Sequence, residues 1–220
     1  MPQIKDIAIT KTIADDDDLL VMQNPTTGET YNIKKSDFLA GFSGSTPSTP
    51  TGHSLTYASD GDSNGLFYYL GTGKGATTWS NPASVSVLVS SSSAGYGDPS
   101  ILINTQADRF WTGDAANSWV MFQFAGKLTC NYYSIKSRSN DSGHYPRTWK
   151  LQGSNDSISW TDVDTQTNNE TLVNASQWLS IPVTSTVGYS SFRLIQVGAN
   201  SSGYGYLCLD EVELYGLYAS

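Results

Sequence analysis

Apolar and polar residues alternate with a period of two in several short segments of the chain, and turn sequences separate these segments. In the clearest case, Trp149 and Leu151 alternate with polar neighbours, which is the pattern of a half-buried β-strand. Residues 153–156 have the Gly-Ser-Asn-Asp sequence of a tight turn, because Gly accepts positive φ and Asn and Asp bond to their own backbone. Ile158 and Trp160 then resume the alternation. The pattern predicts an antiparallel hairpin.

Further segments extend this strand pattern over most of the chain after residue 52. Residues 192–197 are apolar on both faces, which predicts a strand in the centre of a sheet. The parity of the apolar positions changes between Leu209 and Val212, so we expect a β-bulge near Asp210 that keeps the apolar side chains on both sides of it in the core. Other strand-like segments are residues 66–70, 84–89, 119–124 and 132–138.

Residues 1–42 have weaker patterns. Residues 19–33 predict a hairpin around a loop at 24–29, and Ser36 opens a brief helical pattern. Residues 43–52 contain only Ser, Gly, Thr and Pro, which predicts a linker. About 40 residues without a metal site or a disulfide rarely bury enough apolar surface to fold alone. We therefore expect residues 1–42 to oligomerise or to dock on a larger partner, with a flexible acidic leader as the alternative.

The composition narrows the class of protein. The 20 Gly and 13 Tyr among 220 residues favour an all-β chain with many turns. With 12 basic against 20 acidic residues, the chain lacks the clustered cations that nucleic acids and anionic membranes require, and a neutral or cationic ligand fits better. No apolar run is long enough to predict membrane insertion. Four consecutive aspartates at 15–18 stand where a signal peptide would need an apolar core.

Few residues are suited to catalysis. Only His53 and His144 have side chains whose ordinary pKa lies near neutrality, and they fall in different predicted loops. Asp210, Glu211 and Glu213 cluster near the C-terminus. Paired carboxylates can catalyse glycoside hydrolysis, but carboxylates in such a cluster more commonly lie on a solvated strand edge. We therefore expect no enzyme activity.

The two cysteines, Cys130 and Cys208, both lie beside predicted strands. Because the chain shows no export signal, we expect two buried thiols, and a disulfide between them is the alternative.

Two stretches carry a family resemblance, residues 146–156 with the sequence Pro-Arg-Thr-Trp-Lys-Leu-Gln-Gly-Ser-Asn-Asp, and residues 206–216, Tyr-Leu-Cys-Leu-Asp-Glu-Val-Glu-Leu-Tyr-Gly. They resemble the signature hairpin and the closing strand of the discoidin, or coagulation factor 5/8 type C, family. The resemblance implies an all-β fold, an antiparallel jelly-roll β-sandwich over residues 53–220. A small hairpin and short helix at 1–42 would precede it as an oligomerisation segment. Members of this family usually bind sugars or lipid head groups and seldom catalyse a reaction.

The resemblance also implies a ligand site at one end of the sandwich, formed by the loops at 91–100, 140–147 and 198–206. Aromatic side chains there would stack on the apolar face of a pyranose, while amides, carboxylates and Arg would bind its hydroxyls. Two alternatives stay open. Arg147 could serve only to brace loop carbonyls, and each tyrosine could serve only to pack within its own loop. The predicted glycan-binding residues are Tyr96, Asp98, Asn140, Asp141, His144, Tyr145, Arg147, Asn200 and Tyr204.

Related sugar-binding members hold a structural calcium ion, which implies a candidate site here at Asn104, Asp108 and Glu211. The relatives use an Asp-Gly-Asp type of loop, whereas this chain has Asn104 and Gln106 at the acidic positions. Losing two anionic oxygens weakens a calcium site. We therefore expect no cofactor, with calcium as the alternative.

A second resemblance lies in the sequences at 4–10, 14–23 and 28–39, which are similar to the N-terminal attachment modules of bacteriophage tail fibres. Such modules are typically trimeric. The resemblance implies a homotrimeric virion appendage, assembled in the host cytoplasm, that docks on other tail or baseplate proteins and binds host cell-surface polysaccharide. The alternatives are a bacterial lectin-like adhesion module and a structural tail component without a ligand.

Overall fold

The computed structural model describes residues 19–23, 30–34, 52–106, 108–139 and 143–220. The chain divides into two units, Met1–Thr51 and Gly52–Ser220. In the first unit, strand β1 (Leu19–Gln23) pairs antiparallel with β2 (Thr30–Lys34), as the sequence pattern predicts. The predicted helix after Ser36 and residues 43–51 of the predicted linker lie outside the described residues.

The regular elements of the second unit are almost all antiparallel strands, which confirms the predicted β-sandwich. Its one α-helix in the described ranges is α1 (Leu66–Gly71), and two short 3-10 helices precede and follow the fourth strand. The elements, in chain order, are β3 (His53–Leu55), α1 (Leu66–Gly71), a 3-10 helix (Pro82–Ser84), β4 (Val87–Ser91), a 3-10 helix (Pro99–Ile103), β5 (Phe110–Trp111), β6 (Trp119–Lys136), β7 (Trp149–Ser154), β8 (Thr161–Gln166), β9 (Trp178–Pro182), β10 (Tyr189–Gln196), β11 (Cys208–Leu209) and β12 (Glu211–Ala219).

Strand β6 belongs to both layers of the sandwich. Its residues 120–124 pair with β4 on one side, and 119–123 pair with β10 on the other. Residues 127–136 pair instead with β12 and β9. Between the two halves, Gly126 has φ +84°, and a Cβ atom there would lie 2.5 Å from the Ala219 carbonyl oxygen. The sequence pattern predicted two separate strands in this region, and the chain instead makes one continuous strand that bends at Gly126.

The core lies between these layers and is rich in aromatic side chains. Strand β10 lies between β6 and β7, which confirms the predicted central strand.

Buried polar groups pair with each other, since the Trp149 indole N–H donates to the Tyr133 hydroxyl (3.0 Å), which donates to Asp164 (2.8 Å). The largest fully buried side chains include Trp149, Tyr133, Tyr215, Phe67, Phe110, Phe122 and Phe192.

The segment 66–70, predicted as a strand, forms helix α1 instead. The cause lies far away in sequence, because the Glu213 carboxylate accepts hydrogen bonds from the backbone N–H groups of Phe67 (2.8 Å) and Tyr68 (3.1 Å). These N–H groups belong to the first turn of the helix and have no partner within it. A short apolar run does not distinguish a strand from a buried helical turn.

The hairpin predicted around 153–156 has a longer turn than expected. Asp156 accepts hydrogen bonds from the backbone N–H groups of Ile158 (2.8 Å) and Ser159 (2.7 Å), which fold the chain away from the strand. Ile158 is 83% exposed, and β8 begins only at Thr161. The prediction that Ile158 and Trp160 continue the strand is therefore wrong.

The change of parity near Asp210 has a different origin from a β-bulge. Leu209 belongs to β11, which pairs with β5, whereas Val212 belongs to β12, which pairs with β6. The chain changes its partner strand at Asp210, so the apolar residues on both sides are buried, as predicted. The register shift of β12 lies further on, between Tyr215 and Gly216.

Two smaller differences concern strand ends, and the cysteines follow the prediction. Strand β4 begins at Val87, because Pro82–Ser84 forms a 3-10 helix, and β6 ends at Lys136 rather than at 138. Cys130 and Cys208 are both buried and are not joined by a disulfide, as predicted. Burial raises the pKa of the Cys130 thiol to about 12, so it stays protonated and unreactive at neutral pH.

Candidate ligand-binding site

The predicted ligand loops emerge from one end of the sandwich. Ser91, the last residue of β4, lies opposite Val120 near the start of β6. Gln196, the last residue of β10, lies opposite Trp149 at the start of β7. The connections between these strands must therefore meet. We define the loop end as residues 92–100, 112–118, 143–148 and 197–207, of which 112–118 was not among the predicted loops.

The centre of the loop end is an aromatic cluster of His144, Tyr204 and Tyr206. The rings of Tyr204 and Tyr206 stack with their centroids 5.1 Å apart and their planes 19° apart. The His144 ring lies 5.6 Å from Tyr204 and 5.2 Å from Tyr206, and its Nδ1 atom is hydrogen-bonded to the Tyr206 hydroxyl (2.7 Å). Tyr204 is 45% exposed. The cluster therefore presents an exposed ring on a fixed support.

Asn200 builds the loop that carries the cluster. Its side-chain oxygen accepts hydrogen bonds from the backbone N–H groups of Ser202 (3.0 Å) and Tyr204 (3.1 Å), and its Nδ2 donates to the Tyr206 carbonyl (3.2 Å). The residue is only 4% exposed. The structure therefore gives Asn200 a supporting role, and direct contact of Asn200 with a glycan stays a prediction that this geometry disfavours.

Tyr145 and Arg147 also support the loops. Tyr145 is buried, and its backbone exchanges hydrogen bonds with Ser201. The Nη1 atom of Arg147 donates to the carbonyls of Asn169 (3.0 Å) and Leu172 (2.9 Å). This arrangement favours the bracing role of Arg147 that the sequence left open. Because Tyr145 is buried, its ring has no exposed face on which a sugar could stack.

Tyr96 and Asp98 lie at the rim of the loop end. The Tyr96 ring stacks on Trp111 with centroids 4.4 Å apart, and the Arg109 guanidinium lies 5.5 Å from the Tyr96 centroid. Tyr96 is 49% exposed, so part of its surface still faces solvent. Asp98 accepts a hydrogen bond from the Ser100 backbone N–H (2.8 Å), and hydrogen bonds from Ser100 lower the pKa of this carboxyl. Asn140 and Asp141 lie outside the described residues.

Sequence reasoning missed several residues that shape the site. Asp114 accepts a hydrogen bond from the backbone N–H of Gly205 (2.7 Å), and Gln196 donates to the carbonyls of Tyr204 (3.3 Å) and Tyr206 (3.1 Å). Tyr206 lies at the boundary of the predicted loop at 198–206 and the predicted closing strand, and the sequence did not single it out as a site residue. The alternation of Tyr204 and Tyr206 was the signal that could have placed both rings on one face.

The residues of the implied calcium site are occupied by other partners. Glu211 is hydrogen-bonded to the Lys136 ammonium at 2.6 Å, which supplies a positive charge without a metal ion. Asn104 donates to the Asp108 carboxylate (2.9 Å). Within the described ranges, no group of three or more His, Cys, Asp or Glu side chains is placed to hold a metal ion. These contacts disfavour the calcium alternative.

Comparison with known proteins identifies the family. The profile of the F5/8 type C domain matches residues 86–208, which is more than half of the chain. The chain belongs to the F5/8 type C domain family. Among curated proteins, this F5/8 type C chain is similar to a BTB/POZ domain-containing protein of Arabidopsis thaliana, with 32% identity over 180 residues. It is also similar to the E3 ubiquitin-protein ligase Ufd4 of Drosophila melanogaster, with 27% identity over 173 residues.

Each of these matches covers 74% of the F5/8 type C chain but only 22% and 6% of the two relatives. Among solved structures, CpGH89CBM32-5 from Clostridium perfringens, in complex with GalNAc-β-1,3-galactose, has a TM-score of 0.51 at 11% identity, covering 59% of this chain and 95% of that one. CBM32-3 from a family 31 glycoside hydrolase of Clostridium perfringens has a TM-score of 0.51 at 15% identity, covering 63% and 99%. At these identities the likeness establishes the fold.

Proposed function

We propose that the F5/8 type C domain binds glycans at the loop end. The observation that carries the proposal is that Tyr96 and Tyr204, 49% and 45% exposed, are the two exposed Phe, Tyr or Trp side chains in the described part of the chain. Both lie at the same end of the sandwich, and both rings rest on a second aromatic ring. An exposed ring on a rigid support is what stacking against the C–H face of a pyranose requires.

Polar groups around these rings supply hydrogen bonds for sugar hydroxyls. Asp98 and Asn117 are exposed residues of the loop end, and His144 joins the aromatic cluster. A net charge of −8 favours neutral or cationic glycans over anionic ones. The fold neighbour that was solved with GalNAc-β-1,3-galactose supports the proposal.

A glycan array with the full-length chain tests this proposal. Tyr204→Phe keeps the ring and should retain binding, whereas Tyr204→Ala removes it and should weaken binding roughly tenfold or more, the value of one aromatic contact and its buried area. Ile158→Ala, in the exposed turn between β7 and β8, is a matched surface control and should have no effect. Equal binding by Tyr204→Ala and Ile158→Ala would refute the site.

We also propose that the domain binds its ligand without transforming it. The carboxylate of Glu211 is paired with Lys136, and that of Glu213 accepts three backbone N–H groups. His144 is hydrogen-bonded to Tyr206. These groups have partners suited to holding structure in place. Release of reducing sugar from a glycan that the protein binds would contradict the proposal.

The second part of the proposal concerns the setting of the domain, which we propose is a virion appendage in the phage tail. It is supported by residues 1–42, whose sequence resembles tail-fibre attachment modules, and by the linker at 43–52. Several copies on one trimer would raise the effective concentration at a host surface, so weak binding per copy would suffice. The curated relatives carry the matched segment within much longer chains, and the alternatives to a virion appendage are a lectin-like adhesion module and a structural component without a ligand.

Sedimentation equilibrium of the full-length chain, together with the glycan array, separates the three settings. A trimer that becomes a monomer when residues 1–42 are deleted would support the appendage. A chain that remains monomeric at high concentration and still binds glycans would support the adhesion module, and a chain without any glycan binding would support a structural component.

A further inference from the structure

A pocket of about 330 Å³ lies at the loop end, between residues 114–117 on one side and residues 196–199 with Gly205 on the other. Two close contacts fix these walls relative to each other. Asp114 accepts a hydrogen bond from the backbone N–H of Gly205 (2.7 Å), and a Cβ atom at Gly205 would lie only 2.7 Å from the Ala115 carbonyl oxygen. The pocket is therefore formed by two segments that are held tightly together.

Gln196 is the buried residue of the lining, with 1% of its surface exposed, and we call this cavity the Gln196 pocket. Its Nε2 atom donates to the carbonyls of Tyr204 (3.3 Å) and Tyr206 (3.1 Å). Because a carbonyl oxygen can only accept, these two bonds fix the orientation of the amide and direct its Oε1 atom away from them. Oε1 makes no hydrogen bond within the described structure. A buried acceptor without a donor is rare, so the pocket has a place for a donor.

The walls of the pocket carry small apolar side chains that are exposed to solvent. They belong to Ala115, Ala116, Val197 and Ala199. The lining includes the carboxylate of Asp114 and no basic residue, which disfavours a ligand group with a negative charge. The group that matches this lining therefore has a hydrogen-bond donor next to a small apolar part.

We propose that the Gln196 pocket receives the acetamido group of a 2-acetamido sugar, so that the loop end selects N-acetylhexosamines. This inference rests on the proposed glycan binding at the loop end. The acetamido N–H donates to Oε1 of Gln196, and the methyl group packs on the apolar walls. Asn117, which is exposed in the same lining, has an amide donor for the acetamido oxygen. A hydroxyl or an ammonium group at the same ring position would supply the donor but would leave the apolar walls uncovered.

Isothermal titration calorimetry on the full-length chain tests the proposal with N-acetylglucosamine, glucose and glucosamine, and with N-acetylgalactosamine and galactose. Each acetamido sugar should bind roughly tenfold more tightly than its parent hexose, the combined value of one hydrogen bond and one buried methyl group. Equal affinities of the acetamido sugars and their parent hexoses would overturn the proposal. Tighter binding of glucosamine than of N-acetylglucosamine would also overturn it, because the pocket would then recognise a charge.

Two variants that fill the pocket locate the binding. Ala116→Leu and Ala199→Leu enlarge exposed side chains of the lining, and each should lower the affinity for N-acetylglucosamine to that for glucose while leaving glucose binding unchanged. The matched controls are Ala116→Ser and Ala199→Ser, which add only one oxygen atom and should keep the preference. Tyr204→Ala should instead weaken the binding of both sugars, because it removes the ring on which either would stack.

These outcomes separate the pocket from the site as a whole. A preference for acetamido sugars that persists in both leucine variants would overturn the role of the pocket and leave glycan binding at the loop end intact. Absence of binding to every sugar on the glycan array would refute the proposed function and this inference with it. In ¹⁵N–¹H spectra, N-acetylglucosamine should also shift the side-chain amide signal of Gln196, and an unchanged signal at saturating N-acetylglucosamine would contradict the contact.

Discussion

The Nδ1 atom of His144 lies 2.7 Å from the hydroxyl oxygen of Tyr206, and this hydrogen bond joins two loops that are 62 positions apart in sequence. The backbone N–H of His144 also donates to the Ser202 hydroxyl (3.2 Å), so the same residue contacts the second loop twice. His144 adopts φ +60°, a conformation that non-glycine residues seldom take unless their surroundings hold them there. The contact therefore fixes the relative position of the loops that carry the exposed Tyr204 ring.

Removing the Tyr206 hydroxyl should loosen this junction. Tyr206→Phe keeps the ring that supports Tyr204 and deletes the bond to His144. We expect the free energy of unfolding to fall by about 1 kcal/mol, the net value of one hydrogen bond. Glycan affinity should fall roughly threefold to tenfold because the aromatic cluster becomes less ordered. Chemical denaturation and titration calorimetry measure both, and Tyr204→Phe is the matched control. Unchanged affinity would show that the bond is irrelevant to binding.

Arg147 offers a test that separates bracing from ligand contact. Its guanidinium donates to two carbonyls, those of Asn169 and Leu172, in a geometry that the single ammonium of Lys does not reproduce. Arg147→Lys should lower the free energy of unfolding by about 1–2 kcal/mol while leaving glycan affinity unchanged at a temperature where the variant is folded. A loss of affinity at unchanged stability would instead make Arg147 a ligand-binding residue.

Gly216 marks the register shift in β12 and should not tolerate a side chain. It has φ +143°, and a Cβ atom there would collide with the backbone carbonyl oxygen of Thr129. Gly216→Ala should therefore destabilise the domain by about 3 kcal/mol or more. Gly75→Ala is the matched control, because Gly75 also has positive φ (+84°) but nothing lies within 4 Å of the added atom. It should cost only about 1–2 kcal/mol. Thermal unfolding that shows equal losses would contradict the steric explanation.

The sequence predicted the strands whose two faces differ clearly, and it failed where distant residues decide the local structure. The alternation around Trp149 and the apolar run at 192–197 reflect burial, which the side chains themselves determine. Helix α1 depends instead on the Glu213 carboxylate, and the long turn before β8 depends on Asp156. No local pattern at 66–70 records a hydrogen bond from a residue about 145 positions away.

The same distinction applies to the candidate site. The resemblance placed the ligand loops at one end of the sandwich, and the strand register brings them together there. It did not assign the individual roles, because Asn200 and Arg147 have side chains that suit both a sugar hydroxyl and a backbone carbonyl. Only the three-dimensional hydrogen bonds decide between these partners. Tyr206 was missed for a related reason, since its role depends on contact with His144.

Glu213 should make the stability of the domain depend on pH. Burial raises the pKa of this carboxyl from 4.5 to about 7, although the backbone N–H groups of Phe67, Tyr68 and Leu214 donate to it and partly offset the effect. The unfolded chain releases the proton near pH 4.5 and the folded chain releases it near pH 7, so the folded state binds more protons between these values. The free energy of unfolding should therefore fall as the pH rises through this window.

Comparison with an uncharged variant isolates this contribution. Glu213→Gln cannot ionise, and its stability should lose the decrease between about pH 5 and pH 7.5 that the wild type shows, which we expect to be about 1–3 kcal/mol. Urea denaturation at half-unit pH intervals measures the slope for both proteins. Glu211→Gln serves as the control, because Glu211 is an ion-paired carboxylate in the same strand and should leave the slope of the wild type in place. Parallel pH profiles for wild type and Glu213→Gln would show that Glu213 is already ionised at pH 5. The three backbone N–H groups would then outweigh burial.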